Sequence, residues 1–139
     1  MTGGTYTLLL ELAEAATVAF GAAGERELEP GWYAYAGSAF GPGGLDARVD
    51  RHQRVARGEH DVRHWHIDYL TGHSETRLDA VFVTEGDDRE CALARTLAAA
   101  GEAVSGLGAS DCDCESHVAY APERAVLAAA AERAHETRS

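Results

Sequence analysis

Gly31-Trp32-Tyr33-Ala34-Tyr35-Ala36-Gly37-Ser38-Ala39 is the stretch on which the fold turns. It alternates aromatic and small residues without a breaker, and Pro30-Gly31 precedes it as a turn, so Arg26 to Ala36 predicts strand, turn, strand. Upstream, Gly4-Thr5-Tyr6-Thr7 opens an apolar run, and Thr5 to Leu12 predicts another strand. Downstream, Phe40-Gly41-Pro42-Gly43-Gly44 has loop composition. It leads into Leu45-Asp46-Ala47-Arg48-Val49-Asp50-Arg51-His52, whose Leu45, Val49 and Ala56 share a helical face. Two tyrosine-bearing strands therefore run into an arginine-bearing helix.

The rest of the chain extends that plan. Ala16 to Phe20 is a short strand candidate, followed by a loop punctuated by Gly21 and Gly24. Arg63 to Leu70 predicts a second helix, with Trp65 and Tyr69 one turn apart. Leu78 to Thr84 has the composition of a buried strand. Asp87 and Asp88 suit the first turn of a helix over Arg89 to Ala100, which Gly101 ends. Ser105 to Ser116 is a Gly/Ser/Cys loop, and His117 to Tyr120 a short strand. Pro122-Glu123 opens a last helix with Val126, Leu127, Ala130 and Ala134 on its apolar stripe. This order predicts an α+β fold, a small antiparallel central sheet flanked by helices. Residues 1–121 form the main domain. Residues 122–139 add a C-terminal helix packed on it and a frayed tail from Glu136 to Ser139.

At 139 residues one domain is expected, and 45% hydrophobic content suffices for a core. No apolar run reaches membrane-spanning length and no signal peptide is evident, so a soluble cytoplasmic protein without membrane partners is expected. The formal net charge is −11, and all 12 basic residues are arginine. Such acidity keeps a protein soluble and is used by halophiles. A GC-driven preference for arginine is the plainer explanation. Three cysteines argue against a disulfide framework.

The combined pieces resemble the GIY-YIG nuclease superfamily from Gly4 to about Tyr120. Gly4-Thr5-Tyr6 stands at the Gly-Ile-Tyr motif and Tyr35-Ala36-Gly37 at the Tyr-Ile-Gly motif. Arg48 is similar to the signature arginine, His52 to the frequent helical histidine, and Glu90 to the metal-binding glutamate. The chain resembles most an uncharacterised branch in which Gly41 to Gly44, His64-Trp65-His66-Ile67-Asp68-Tyr69 and Ser110-Asp111-Cys112-Asp113-Cys114-Glu115-Ser116-His117 recur. In that branch the domain stands alone or joined to DNA-repair enzymes. Three features depart from the superfamily pattern. Thr5 and Ala36 replace the two isoleucines, the loop before the helix is longer, and the chain has no asparagine where the family often carries one late in the fold.

The resemblance implies a Mg²⁺- or Mn²⁺-dependent endonuclease acting on DNA or structured nucleic acid in repair or recombination. Glu90 would hold the metal, since Mg²⁺ needs few protein ligands and keeps its waters. Arg48 would fork onto the scissile phosphate. Tyr6 or His52 would be the general base, and Tyr35 would hydrogen-bond the water or a phosphate oxygen. Each has a duller reading: a glutamate complementing a helix dipole, a solvated helix arginine or histidine, and strand tyrosines packing their rings. Arg48, Arg51, Arg54 and Arg57 recur every third residue and suggest a phosphate-backbone footprint, against a solvated face. Cys112, Cys114 and His117, with His64 or His66, suggest Zn²⁺, against a loop of buried thiols. The alternatives are a non-catalytic nucleic-acid-binding or regulatory module of the same fold, or a zinc-stabilised one. A protein partner for targeting fits either.

Overall fold

The computed structural model describes residues 3–20, 24–40, 43–59, 66–73, 75–86, 90–104 and 117–136. In chain order the elements are β1 (Gly4–Leu12), β2 (Ala16–Ala19), β3 (Glu25–Leu28) and β4 (Gly31–Ala39), then α1 (Gly44–Ala56), α2 (His66–Thr71) and β5 (Thr76–Glu85). They are followed by α3 (Glu90–Ala100), β6 (Glu102–Ala103), β7 (Val118–Ala121) and α4 (Arg124–Glu136). Five strands form one sheet in the order β5-β1-β4-β7-β6, with every pairing antiparallel. β2 and β3 make a separate two-stranded ribbon. The α+β class, antiparallel sheet and flanking helices are as the sequence pattern predicts.

β1 lies between β4 and β5, and period-two alternation sends its side chains to opposite faces. Tyr6, Leu8, Leu10 and Leu12 join Tyr33 and Tyr35 of β4 on one face. Leu45 of α1, Ile67 and Leu70 of α2, Val18 and Leu28 of the ribbon, and Phe20 just after β2 cover that face. Leu9 joins Ala34 and Ala36 on the other, covered by Leu93, Ala94 and Leu97 of α3 and by Leu127, Ala130, Ala131 and Ala134 of α4. A strand buried on both faces needs a near-continuous apolar run, which Leu8-Leu9-Leu10 provides. Alanines at positions 130, 131 and 134 let α4 approach closely, where larger side chains would hold it off.

A buried histidine pins the end of α4. His135 Nε2 lies 2.8 Å from Thr7 Oγ1, and its Nδ1 lies 2.7 Å from Thr84 Oγ1. Its ring stacks on Phe82 with centroids 6.1 Å apart. Buried polar groups are tolerated when their hydrogen bonds are made, and both ring nitrogens are satisfied here.

The structure also differs in detail from the sequence expectations. β6 was not anticipated; two residues are too few for any periodic signal. β5 extends beyond Leu78 to Thr84 at both ends, and a bulge places Leu9 opposite Ala80 and Leu10 opposite Leu78. Residues 63–65 of the second predicted helix, and the loop at 105–116, lie outside the described residues.

Candidate active site at the tyrosine, histidine and arginine cluster

Adjacent strands set the two tyrosines. Tyr6 is directly opposite Gly37, and Tyr35 directly opposite Leu8. Both rings emerge on the same face, centroids 6.2 Å apart and tilted by 56°. The two motif glycines have a steric reason. A Cβ on Gly37 would come within 2.6 Å of both Cζ and Oη of Tyr6, so the ring lies across a position that only glycine leaves open. A Cβ on Gly4 would run into the Thr84 carbonyl oxygen. Gly37→Ala should therefore displace Tyr6 and cost about 1–3 kcal/mol, as overpacking usually does. Denaturant unfolding tests this, and an unchanged midpoint would contradict the placement.

α1 supplies the next groups. Positions 48 and 52 are one turn apart, so both face the side of the sheet that carries Tyr6. His52 is fully buried, and its Nε2 lies 2.7 Å from Tyr6 Oη. Arg48 hydrogen-bonds Tyr6 and donates from Nη1 to the Ser38 carbonyl at 2.9 Å. From α2, fully buried Asp68 accepts two hydrogen bonds from Arg51, both 3.0 Å long. Asp68 Oδ1 is also 4.0 Å from His52 Nδ1, too far for a hydrogen bond but close enough for its charge to be felt.

Glu90, the first residue of α3, belongs to the helix layer that covers the other face of the sheet and reaches the two tyrosines through its charge. Its side chain is 22% exposed, and Oε2 lies 3.4 Å from Nδ1 of buried His117. The His117 carbonyl accepts the Ala36 N–H at 2.9 Å, which fixes this residue beside Gly37. The Glu90 charge acts on both Tyr6 and Tyr35.

Burial dominates the electrostatics. It pushes the Tyr6 phenol up; Arg48 opposes this through its charge and hydrogen bond, while Glu90 and Asp68 add to it. Tyr35 is raised for the same first reason, then by Tyr6 and Glu90. His52 is pulled down to about 4 by burial, with Asp68 working against that and Arg51 and Arg48 with it. At neutral pH the Tyr6–His52 pair is therefore a neutral phenol on a neutral imidazole.

This depression has a stability consequence. An unfolded histidine titrates near 6.5. Between that value and about 4 the unfolded chain binds the proton that the folded site refuses. The His52 contribution is complete above pH 6.5 and is lost as pH falls toward 4, amounting to about 3 kcal/mol. Denaturant unfolding of wild type and His52→Gln at pH 7.5 and 4 measures it. The wild type should lose about 3 kcal/mol more than the variant, whereas equal losses would remove the effect.

The four arginines divide. Residues three apart rotate by about 60° per step on an α-helix, so Arg48 and Arg57 face opposite sides. Arg51 turns inward to Asp68. Arg54 pairs with Asp50 at 3.8 Å and Arg57 with Glu59 at 3.0 Å, all four half-exposed or more. The spacing of three thus gives no single continuous row. Cys112, Cys114 and His64 lie outside the described residues, as does the side chain of His66. His117 faces Glu90. Among the described residues no group of three or more His, Cys, Asp or Glu is placed to hold one metal ion. A hollow of about 550 Å³ between α1 and β5, lined by Gln53, Arg57 and Arg77 among others, does not include the Tyr6 cluster.

Asp68 and His117 are the two members of the cluster that spacing alone did not assign to it. Asp68 was visible only as a helical carboxylate, and its pairing with Arg51 is long-range. His117 was grouped with nearby cysteines, whereas the β4–β7 pairing carries it to Glu90.

A family profile covers residues 5–139, which includes every residue of this cluster. The chain belongs to the domain family of unknown function DUF123. Neither a curated protein nor a solved structure matches it. Among the described residues of this DUF123 domain, no helix is long and apolar enough to cross a membrane.

Proposed function

We propose that this DUF123 domain is a divalent-metal-dependent endonuclease of GIY-YIG type that hydrolyses phosphodiester bonds in DNA or structured nucleic acid, in repair or recombination. One observation carries the proposal. A buried tyrosine hydroxyl from β1 meets a histidine at 2.7 Å, an arginine hydrogen bond from the same helix, and the field of a glutamate at the head of α3. Packing alone does not require two polar partners and a carboxylate charge around one phenol.

Glu90 suits a hard divalent cation. It is partly exposed, and Mg²⁺ is commonly held by one or two carboxylates with waters filling the remaining positions. Mg²⁺ or Mn²⁺ bound there would supply Lewis-acid polarisation of a phosphoryl oxygen. The protein's own groups do the rest. Arg48 holds the phosphate with the guanidinium donors not used on Ser38 and Tyr6. Tyr6 Oη takes a proton from the attacking water while its own proton passes to His52 Nε2. The water oxygen bonds to phosphorus, the bond to the leaving oxygen breaks, and that oxygen takes a proton from solvent. The imidazolium so formed faces Asp68, whose carboxylate offsets part of the cost of its burial. Tyr6 and His52 thus act as one unit, and neither needs to be an anion beforehand.

Cleavage of supercoiled, single-stranded and branched DNA and of structured RNA, with Mg²⁺ or Mn²⁺ at low and high salt, tests the proposal. Metal-dependent products are expected. A second reading, a nucleic-acid-binding or regulatory module that does not cleave, is favoured by the net charge of −11 and by the ion pairs of Arg51, Arg54 and Arg57. Salt-sensitive binding with no turnover under either metal would select it.

A further inference from the structure

Glu90 and His117 come from distant parts of the chain, the first turn of α3 and the residue before β7, yet Glu90 Oε2 and His117 Nδ1 are 3.4 Å apart. The His117 ring is buried, while the Glu90 carboxylate keeps one edge toward solvent. Two donor atoms 3.4 Å apart, each about 2.0–2.2 Å from one ion, subtend about 100–115° there, near the tetrahedral angle and wider than an ideal octahedral one.

We infer that Glu90 and His117 together chelate a divalent first-row transition metal, with waters completing its shell. This rests on Glu90 being the metal ligand of the proposed nuclease and adds a second protein donor to it. The consequence is selectivity. Imidazole suits transition metals, whereas Mg²⁺ prefers an all-oxygen shell and gains little from a nitrogen. The site therefore favours Mn²⁺ over Mg²⁺, and His117 is the residue that makes the difference. The Ala36 N–H bond to its carbonyl anchors His117 to β4 beside Gly37.

Mn²⁺ alone, added to the full chain without nucleic acid, is the probe. It disfavours thiolate sites, so oxygen and nitrogen donors dominate its binding. Electron spin-echo spectroscopy of bound Mn²⁺ should show modulation from a directly bonded imidazole nitrogen in wild type, absent in His117→Gln. Calorimetry should show Mn²⁺ affinity falling about tenfold or more in His117→Gln. Mg²⁺ affinity should change by less than about threefold. Glu90→Gln should lose binding of both. Glu90-dependent Mn²⁺ binding without nitrogen modulation would overturn the chelate and leave the nuclease proposal standing, since a single carboxylate would then suffice. Modulation that survives in His117→Gln, or the absence of any Glu90-dependent Mn²⁺ binding, would also overturn it. The nuclease proposal is decided separately, by cleavage. Should His117→Gln fail to fold, the wild-type nitrogen signal and its loss in Glu90→Gln decide the inference.

Discussion

Glu90→Gln should lower the rate of metal-dependent cleavage by about a thousandfold or more while the protein stays folded. The substitution keeps the shape of the side chain and removes only its charge. Glu90 begins α3 and is partly exposed, so the fold has little invested in that charge. A first-turn carboxylate contributes about 0.3–1 kcal/mol through the helix dipole. Loss of the His117 contact adds little, because at 3.4 Å it lies beyond the usual hydrogen-bond range. A small stability change beside a large rate change is the signature of a metal ligand. The opposite pattern, near-normal cleavage with a marked loss of stability, would make Glu90 a structural helix-start residue. Cleavage rate and unfolding midpoint measured on the same preparation separate the two.

Asp68→Ala should be the most destabilising single change in the cluster, by about 3–5 kcal/mol. Asp68 is fully buried and receives both arms of Arg51, whose side chain is only 16% exposed. Removing the carboxylate takes away the anion that neutralises a largely buried guanidinium, and this is where breaking an ion pair costs most. Replacing both partners, as in Arg51→Met with Asp68→Leu, should recover much of the loss. The cycle of single and double variants, followed by denaturant unfolding, measures the coupling. A near-zero coupling would mean that the pair is incidental. Activity gives a second readout. Asp68→Asn, which keeps the shape, should still slow cleavage, because the imidazolium formed at His52 loses the negative charge 4.0 Å away.

The parts of the fold legible in the sequence are those with a local cause. β1 and β4 announced themselves through β-branched and aromatic residues bounded by glycine and proline, α1 through its apolar spacing after a glycine loop. Tyr6, Tyr35, Arg48, His52 and Glu90 were selected on resemblance, and the structure brings Tyr6, Tyr35, Arg48 and His52 together. The Tyr6–His52 bond and the influence of Glu90 on both tyrosines are consistent with that selection.

What was not legible depends on pairing across long sequence separations. Arg51 looked like one more surface arginine until α2 was folded against α1 and brought Asp68 to it. The contact of His117 with Glu90 joins residues 27 positions apart and has no local signal; the cysteines grouped with His117 lie outside the described residues. His135 lies beyond the residues picked for the apolar stripe of α4, and nothing local signals that Thr7 and Thr84 wait for it. Arg48, Arg51, Arg54 and Arg57 do not share one face for a simpler reason: a period of three is not the period of an α-helix.

The central claim is that the Tyr6 hydroxyl, backed by His52, activates water for attack on a phosphodiester. Single-turnover cleavage of a duplex or branched DNA by wild type and Tyr6→Phe, at matched substrate occupancy and saturating Mn²⁺, tests it most directly. Removing one oxygen atom leaves the ring packing intact, so binding should be preserved. The account predicts a cleavage rate in Tyr6→Phe lower by about a hundred- to ten-thousandfold. Equal rates in a folded Tyr6→Phe variant would contradict it.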